Sequence, residues 1–199
     1  MKIKPDAILF DMDGVLIDSI DSWFLSLNTA LKAFKLEEIS RDEFIEKYWG
    51  HDLYDNLDRM GLDREIGRLC NNIYGENISH IKFDSNTKLI LYKLKDYKKG
   101  IITNTPKDSA FQILKKFDIE QFFDVVITSD DVNNAKPNPE IVLKACKVLQ
   151  VEPKNVILVG DTDSDIIAGK AANCTVVGLK INADYTINNL SELTNNILQ

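Results

Sequence analysis

The stretch "ILFDMDGVLIDS", residues 8–19, decides how the rest of the chain is read. Ile8-Leu9-Phe10 is an apolar run of the kind that forms a buried strand, yet it ends in two carboxylates, Asp11 and Asp13, with only Met12 between them. Like charges crowded at the tip of a core strand are costly unless something compensates them. A helical pattern comes next, because Ile20, Trp23, Phe24, Leu27, Leu31 and Phe34 recur at the spacing of one helix face.

Further helical segments are expected at 41–48, 52–59 and 63–79, with no strand among them. From Asn86 onward the rhythm changes to alternation: helix 86–97, strand 100–103, helix 108–117, strand 124–129, helix 139–149, strand 155–160, helix 164–172 and strand 174–179. These strands are continuous apolar runs, as required when helices cover both faces of a sheet. Strand and helix in alternation give parallel units, hence an α/β fold with a doubly wound, Rossmann-like parallel sheet. The first strand belongs to that sheet but is separated from it by helix alone. The economical division is an α/β core of residues 1–16 and 84–199, with residues 17–83 as an inserted all-helical cap subdomain. The turn residues of "KFDSN" (82–86) mark the return to the core. The Asn-rich tail from Ile181 is expected to end in a short helix, and no internal repeat is present.

Bulk properties narrow the function. With 44% hydrophobic and 28% charged residues, the composition is that of an ordinary globular protein. The net charge of −7, without any long Lys/Arg run, argues against nucleic acid or an anionic membrane as partner. Apolar stretches are too short to span a bilayer, and "MKIKPD" lacks the apolar core of a signal peptide, so a cytoplasmic protein is expected. Cys70, Cys146 and Cys174 show no metal-ligand or disulfide spacing and read as buried free thiols.

Open α/β sheets bind ligands outside the carboxyl ends of their strands. The polar residues at the ends of the apolar runs are Asp11 and Asp13, then Thr103 and Asn104, then Lys136 in "AKPNPE", then Asp161, Thr162, Asp163 and Asp165. Clustered carboxylates call for a cation, and an all-oxygen set suits a hard one, Mg²⁺ above all. A hydroxyl, an ammonium and backbone N–H groups at loop–helix junctions are the donors a phosphoryl oxygen needs. One acid free to attack phosphorus and a second to protonate the leaving oxygen would complete a two-step displacement.

The motifs "DMDGVLIDS" (11–19), "TNT" (103–105), "AKPNPE" (135–140) and "GDTDSDIIAGKAA" (160–172) resemble the four signatures of the haloacid dehalogenase superfamily. The resemblance is to its phosphatase branch with a helical cap, the phosphoglycolate phosphatase and β-phosphoglucomutase group. It implies that Asp11 is a nucleophile forming an aspartyl-phosphate and that Asp13 is general acid, then base. It implies that Thr103 and Asn104 bind substrate, that Lys136 steadies nucleophile and phosphate, and that Mg²⁺ is held by Asp11, the Asp13 carbonyl and Asp161. Asp165 would hold a metal-bound water. The expected partner is a small phosphorylated metabolite, and the expected state a monomer or weak homodimer.

Each residue also has a plainer reading. Asp13-Gly14 is a turn signal, Asp161 or Thr162 can N-cap a helix, and Asp163 suits a first turn. Asn138 can cap the helix that starts at Pro139, which aims Lys136, and Ser129, Asp130 and Asp131 read as turn residues. Tyr48, Trp49, His51 and Tyr54 either face the site as a specificity patch or pack between cap helices. His51 and His80 lie in the insert, so no histidine base is indicated for the strand-end chemistry. Among rival functions, sugar phosphomutases resemble this chain but carry a histidine twelve residues after the nucleophile, where Trp23 stands. Dehalogenases lack the second acid. Receiver domains of signalling proteins share an aspartyl-phosphate, Mg²⁺, Thr and Lys but lack the insert and the paired acids at the first strand. A binding-only relic would have lost a catalytic position, and none is missing.

Overall fold

Six parallel strands form one sheet in the order β3-β2-β1-β4-β5-β6 in the structure, a computed structural model describing residues 3–198. They are β1 (Ala7–Phe10), β2 (Lys98–Thr103), β3 (Val125–Thr128), β4 (Val156–Gly160), β5 (Thr175–Leu179) and β6 (Tyr185–Ile187). β1 lies in the middle, with Leu9 beside Gly100 on one side and Leu158 on the other. Its residues alternate between two apolar cores. Ile8 and Phe10 face the layer containing α5 (Ser85–Lys93) and α6 (Lys107–Lys116), while Ala7 and Leu9 face that of α7 (Glu140–Leu149) and α8 (Asp163–Ala171). Both faces are covered, which is why the strands read as unbroken apolar runs. The sheet is doubly wound, and the chain reverses its direction of travel between β1 and β4. The carboxyl ends there are where such sheets bind ligands.

Between β1 and β2 the chain forms α1 (Ile20–Ala33), α2 (Arg41–Lys47), α3 (Leu53–Met60) and α4 (Arg64–Glu76). The last three are short because each has its own start signal. Ser40, Asp52 and Asp63 accept backbone N–H bonds from their first turns. The four helices bury a cluster of their own, centred on Leu27, Leu31, Phe44, Leu57, Ile66 and Cys70. The chain segments entering and leaving them are tied together. Asp18 N–H donates to the Lys82 carbonyl at 3.0 Å, and Lys82 N–H returns to the Asp18 carbonyl at 2.9 Å.

Two details differ from the sequence reading. The helix expected at 86–97 ends at Lys93, and β2 begins at Lys98, because Lys99 is a strand residue with a buried stem. Its ammonium caps the helix end, donating to the carbonyls of Leu94 and Tyr97 at 2.8 Å each. The tail contributes β6, a three-residue edge strand, before a single wide turn at Leu193–Ile197. Cys70, Cys146 and Cys174 are buried free thiols, as expected. Among the described residues no helix is long and apolar enough to cross a membrane.

Candidate active site

The chain turns sharply after β1. Asp11 N–H still pairs with the Val159 carbonyl at 2.9 Å, Met12 is fully buried, and Gly14 closes the turn with φ +86°. A Cβ on Gly14 would lie 2.0 Å from Asp161 Oδ2, so the β4 loop approaches this closely only because residue 14 has no side chain. This brings Asp11, Asp161 and Asp165 together, with one oxygen from each within 4.8 Å of the others.

Lys136 enters from the β3–α7 loop. Its ammonium, buried with the rest of the side chain, lies 2.7 Å from Asp11 Oδ1, 2.7 Å from Asp165 Oδ1 and 3.3 Å from the Ile102 carbonyl. Burial works against its charge, but the Asp11 and Asp165 carboxylates hold its pKa above the ordinary lysine value. Asn104 fixes the lysine's main chain: its Nδ2 donates to the Lys136 carbonyl and its Oδ1 accepts from Lys136 N–H, both at 3.0 Å. Asn104, expected as a substrate donor, thus has its side-chain amide engaged in aiming Lys136. Asn138 accepts from Glu140 N–H at the start of α7, as foreseen, but the N-cap position is taken by Pro139, one residue later than expected.

Asp165 is fully buried and fully engaged, with Oδ1 on Lys136 and Oδ2 accepting from Thr162 N–H at 3.1 Å and Thr162 Oγ1 at 2.7 Å. The same contacts make Thr162 and Asp165 the capping box of α8. The Thr128–Asp131 pair does likewise after β3, so Asp131 is a turn residue. Asp11 is held by burial, then by the charge of Asp165, well above the usual carboxylate range, with Lys136 opposing. Asp161 is pushed up to about 7 by burial and by Asp165. Asp161 Oδ1 is buried and takes no hydrogen bond. Two buried carboxylates and the half-buried Asp161, one of whose oxygens is orphaned, fit a hard divalent cation, which would relieve both the desolvation and the repulsion.

Asp13 faces a different set. Its Oδ1 accepts from Ser19 Oγ at 2.5 Å, Tyr74 OH at 3.2 Å and Trp23 Nε1 at 3.3 Å. Its Oδ2 accepts from Thr105 Oγ1 at 2.6 Å and Thr103 Oγ1 at 3.2 Å. Burial, with the charge of Asp13, pushes the Tyr74 phenol well above its usual pKa, so it is a donor here. Thr103 is fully buried and also accepts from Thr105 N–H at 3.0 Å. Thr105, Ser19, Trp23 and Tyr74 were not singled out as partners of Asp13 from the sequence. Thr105 and Ser19 had a local signal, as the second threonine of "TNT" and the last residue of "DMDGVLIDS".

The inserted helices close over these loops. A small cleft, partly open to solvent, is lined by Asp11, Asp13, Thr103 and Lys136 below and by Tyr48, Trp49, His51 and Asn56 above. Trp49 Nε1 points to Asp161 Oδ2 at 3.5 Å while its ring packs edge-on against Phe44. His51 Nδ1 lies 3.4 Å from Ser164 Oγ, so the fold carries this histidine to the strand-end loops from which the sequence separates it. Burial, then the charge of Arg59, lowers its pKa, leaving a neutral imidazole at neutral pH. Tyr54 does not reach the cleft and lies under the Arg64 guanidinium.

A sequence profile of haloacid dehalogenase-like hydrolases matches residues 8–179. The chain belongs to that family. The hydrolase is 33% identical to a phosphoglycolate phosphatase of Aquifex aeolicus, over 94% of each chain. It is 30% identical to the pyrophosphatase PpaX of Bacillus pumilus, over 87% of this chain and 82% of that one. Among solved structures, a β-phosphoglucomutase from Clostridium difficile superposes with a TM-score of 0.81 at 25% identity, covering 96% of this chain and 93% of the other. The hydrolase is an enzyme of the phosphatase kind within this family.

Proposed function

We propose that the protein is a Mg²⁺-dependent phosphatase that hydrolyses small phosphate monoesters through an aspartyl-phosphate on Asp11. One observation carries the reading: Asp11, its Oδ1 held 2.7 Å from Lys136, lines the cleft beside two further carboxylates, with Asp13 two residues on. The Asp11 carboxylate attacks phosphorus, the ester P–O bond breaks, and the leaving oxygen takes a proton from Asp13. A water then gives its proton to Asp13 and attacks phosphorus, releasing phosphate and restoring Asp11. Lys136 stays charged and balances Asp11 in both steps. Asp11, Asp161 and the Asp13 carbonyl would hold the metal, with Asp165 beside them. When bound, Mg²⁺ neutralises the carboxylates and stabilises charge on the phosphoryl oxygens. Thr103 gives its one proton to Asp13 in this structure, so releasing Asp13 also frees Thr103 for phosphate.

Residues 17–83 act in this reading as a mobile lid hinged at the Asp18–Lys82 pair, admitting small esters and excluding folded phosphoproteins. A phosphomutase is disfavoured by Trp23, which donates to Asp13 and offers no exchangeable base. We assign the enzyme to the cytoplasm on its free buried thiols, acting as a monomer or weak homodimer. The deciding experiment is acid quenching during turnover with Mg²⁺, then mass spectrometry of the peptide containing Asp11. Phosphate on any other residue, or turnover undiminished in Asp11→Asn, would remove the mechanism.

A further inference from the structure

The roof of the cleft contains a buried acceptor without a donor. Asn56, in α3, is 4% exposed, and its Nδ2 donates to the Tyr48 carbonyl at 2.8 Å. A carbonyl only accepts, so the amide nitrogen must occupy that side, and the orientation of the group is fixed. Its Oδ1 is then left buried with no hydrogen bond. Such an atom is costly to keep, and it is kept at the cleft that Asp11 and Lys136 also line.

The charges around it are equally selective. Among the residues lining the cleft, Lys136 is the one lysine or arginine, and its ammonium sits between Asp11 and Asp165. His51 is neutral at neutral pH, and the remaining wall includes Trp23, Leu27, Phe44, Tyr48, Trp49 and Leu53. A carboxylate on the leaving group would therefore meet aromatic carbon and an acceptor oxygen, with no free cation to receive it. A hydroxyl on an uncharged carbon chain would meet apolar walls and the Asn56 amide, whose buried oxygen a small shift of the roof would open to it.

We propose that Asn56 determines specificity: its Oδ1 accepts a hydrogen bond from a hydroxyl of the leaving group, and the substrate class is the phosphate monoester of an uncharged polyhydric alcohol, not of a hydroxy acid. This rests on the phosphatase reading above. It also separates the chain from those relatives whose names carry a hydroxy-acid phosphate.

The test uses the full-length enzyme with Mg²⁺ and four esters: 2-hydroxyethyl phosphate, ethyl phosphate, phosphoglycolate and 4-nitrophenyl phosphate. The first two differ by one hydroxyl, and kcat/KM for the first is expected to exceed that for the second by about tenfold or more, the value of a donor to an otherwise unpaired buried acceptor. Phosphoglycolate is expected to fall below 2-hydroxyethyl phosphate by a similar factor. In Asn56→Leu the ratio of the first two should collapse to within about twofold. If Asn56→Leu does not fold, the wild-type ratios still decide. Equal kcat/KM for hydroxyethyl and ethyl phosphate, as when a water fills the site, or a preference for phosphoglycolate, overturns the proposal. Hydrolysis of none of the four esters, 4-nitrophenyl phosphate included, would instead bring down the phosphatase reading itself.

Discussion

The indole Nε1 of Trp23 lies 3.3 Å from Asp13 Oδ1, and the Trp23 ring stacks on Tyr74 at 3.8 Å, which donates to the same oxygen. With Ser19, Thr103 and Thr105, five donors surround one carboxylate. All five contacts converge on its two oxygens, so Asp13 must exchange some of them for the leaving oxygen of a substrate during the reaction. Trp23 and Tyr74 sit on α1 and α4, so under the proposed lid movement those helices would take two of the five donors away from the acid.

Trp23→Phe keeps an aromatic ring against Tyr74 and removes only the N–H. The base step needs ionised Asp13 whatever the leaving group. The expected result is therefore a loss in kcat of about threefold to tenfold on alkyl and aryl phosphates alike, one net hydrogen bond. Wild-type kcat on both would show that the indole N–H does not support Asp13. Asp13→Asn should differ, losing far more on the alkyl ester, which needs leaving-group protonation.

Asp11→Asn should abolish phosphate release in a folded protein, because the amide cannot attack phosphorus. It should also raise the melting temperature in chelator, since burial and then Asp165 outweigh Lys136 in disfavouring the Asp11 charge. Wild type in Mg²⁺ at a hundred times its Kd should gain about 2.7 kcal/mol, roughly 5–10 °C for a chain of this size. The variant should lose most of that gain. An undiminished Mg²⁺ shift in Asp11→Asn would locate the metal elsewhere.

The pH dependence of the metal-free protein has a definite sign. Asp161 titrates near 7 in the fold against an ordinary value of 3.8. Between those values the folded form binds more protons than the unfolded chain, so stability falls as pH rises from about 4 to about 7. Asp11, also raised, acts in the same direction. Melting temperature in chelator should therefore be higher at pH 5 than at pH 8, and Mg²⁺ should reduce or reverse that order by replacing the protons. Asp161→Asn should flatten the chelator profile and raise the Mg²⁺ concentration needed for activity. A chelator profile that climbs from pH 5 to pH 8 would contradict this account.

Much of the core site was legible because it is built from local signals: an apolar run ending in polar residues, repeated along a parallel sheet whose carboxyl ends share one edge. Asp11, Lys136, Asp161 and Asp165 come together for that reason. The two donors to Asp13 from the insert were not legible, since Trp23 and Tyr74 are 51 positions apart on helices whose packing alone makes them neighbours. β6 escaped notice because three residues at a sheet edge in an Asn-rich tail carry little apolar pattern. Asn56 gave no signal either; an asparagine on a helix is ordinary until its oxygen is found buried and unpaired.

Gly50 links the helical insert to the site. It has φ +79°, and a Cβ there would lie 2.4 Å from Thr162 Cγ2, on the residue that caps α8 and steadies Asp165. Gly50→Ala must therefore push the Tyr48–His51 loop off the core or disturb Thr162, and it adds the strain of a left-handed alanine. Strain and contact can be separated, because Gly61 has a similar φ of +67° with nothing within 4 Å of a built Cβ. Gly61→Ala should cost about 1 kcal/mol of stability and leave kinetics near wild type. Gly50→Ala should show the same strain and, in addition, a fall in kcat/KM of roughly tenfold to a hundredfold on alkyl phosphates, as a displaced wall spoils the reacting geometry. The fall should be smaller on 4-nitrophenyl phosphate, whose good leaving group needs less help from the roof of the cleft. Equal kinetics in the two alanine variants would mean that the close approach of Gly50 to Thr162 has no part in closing the site.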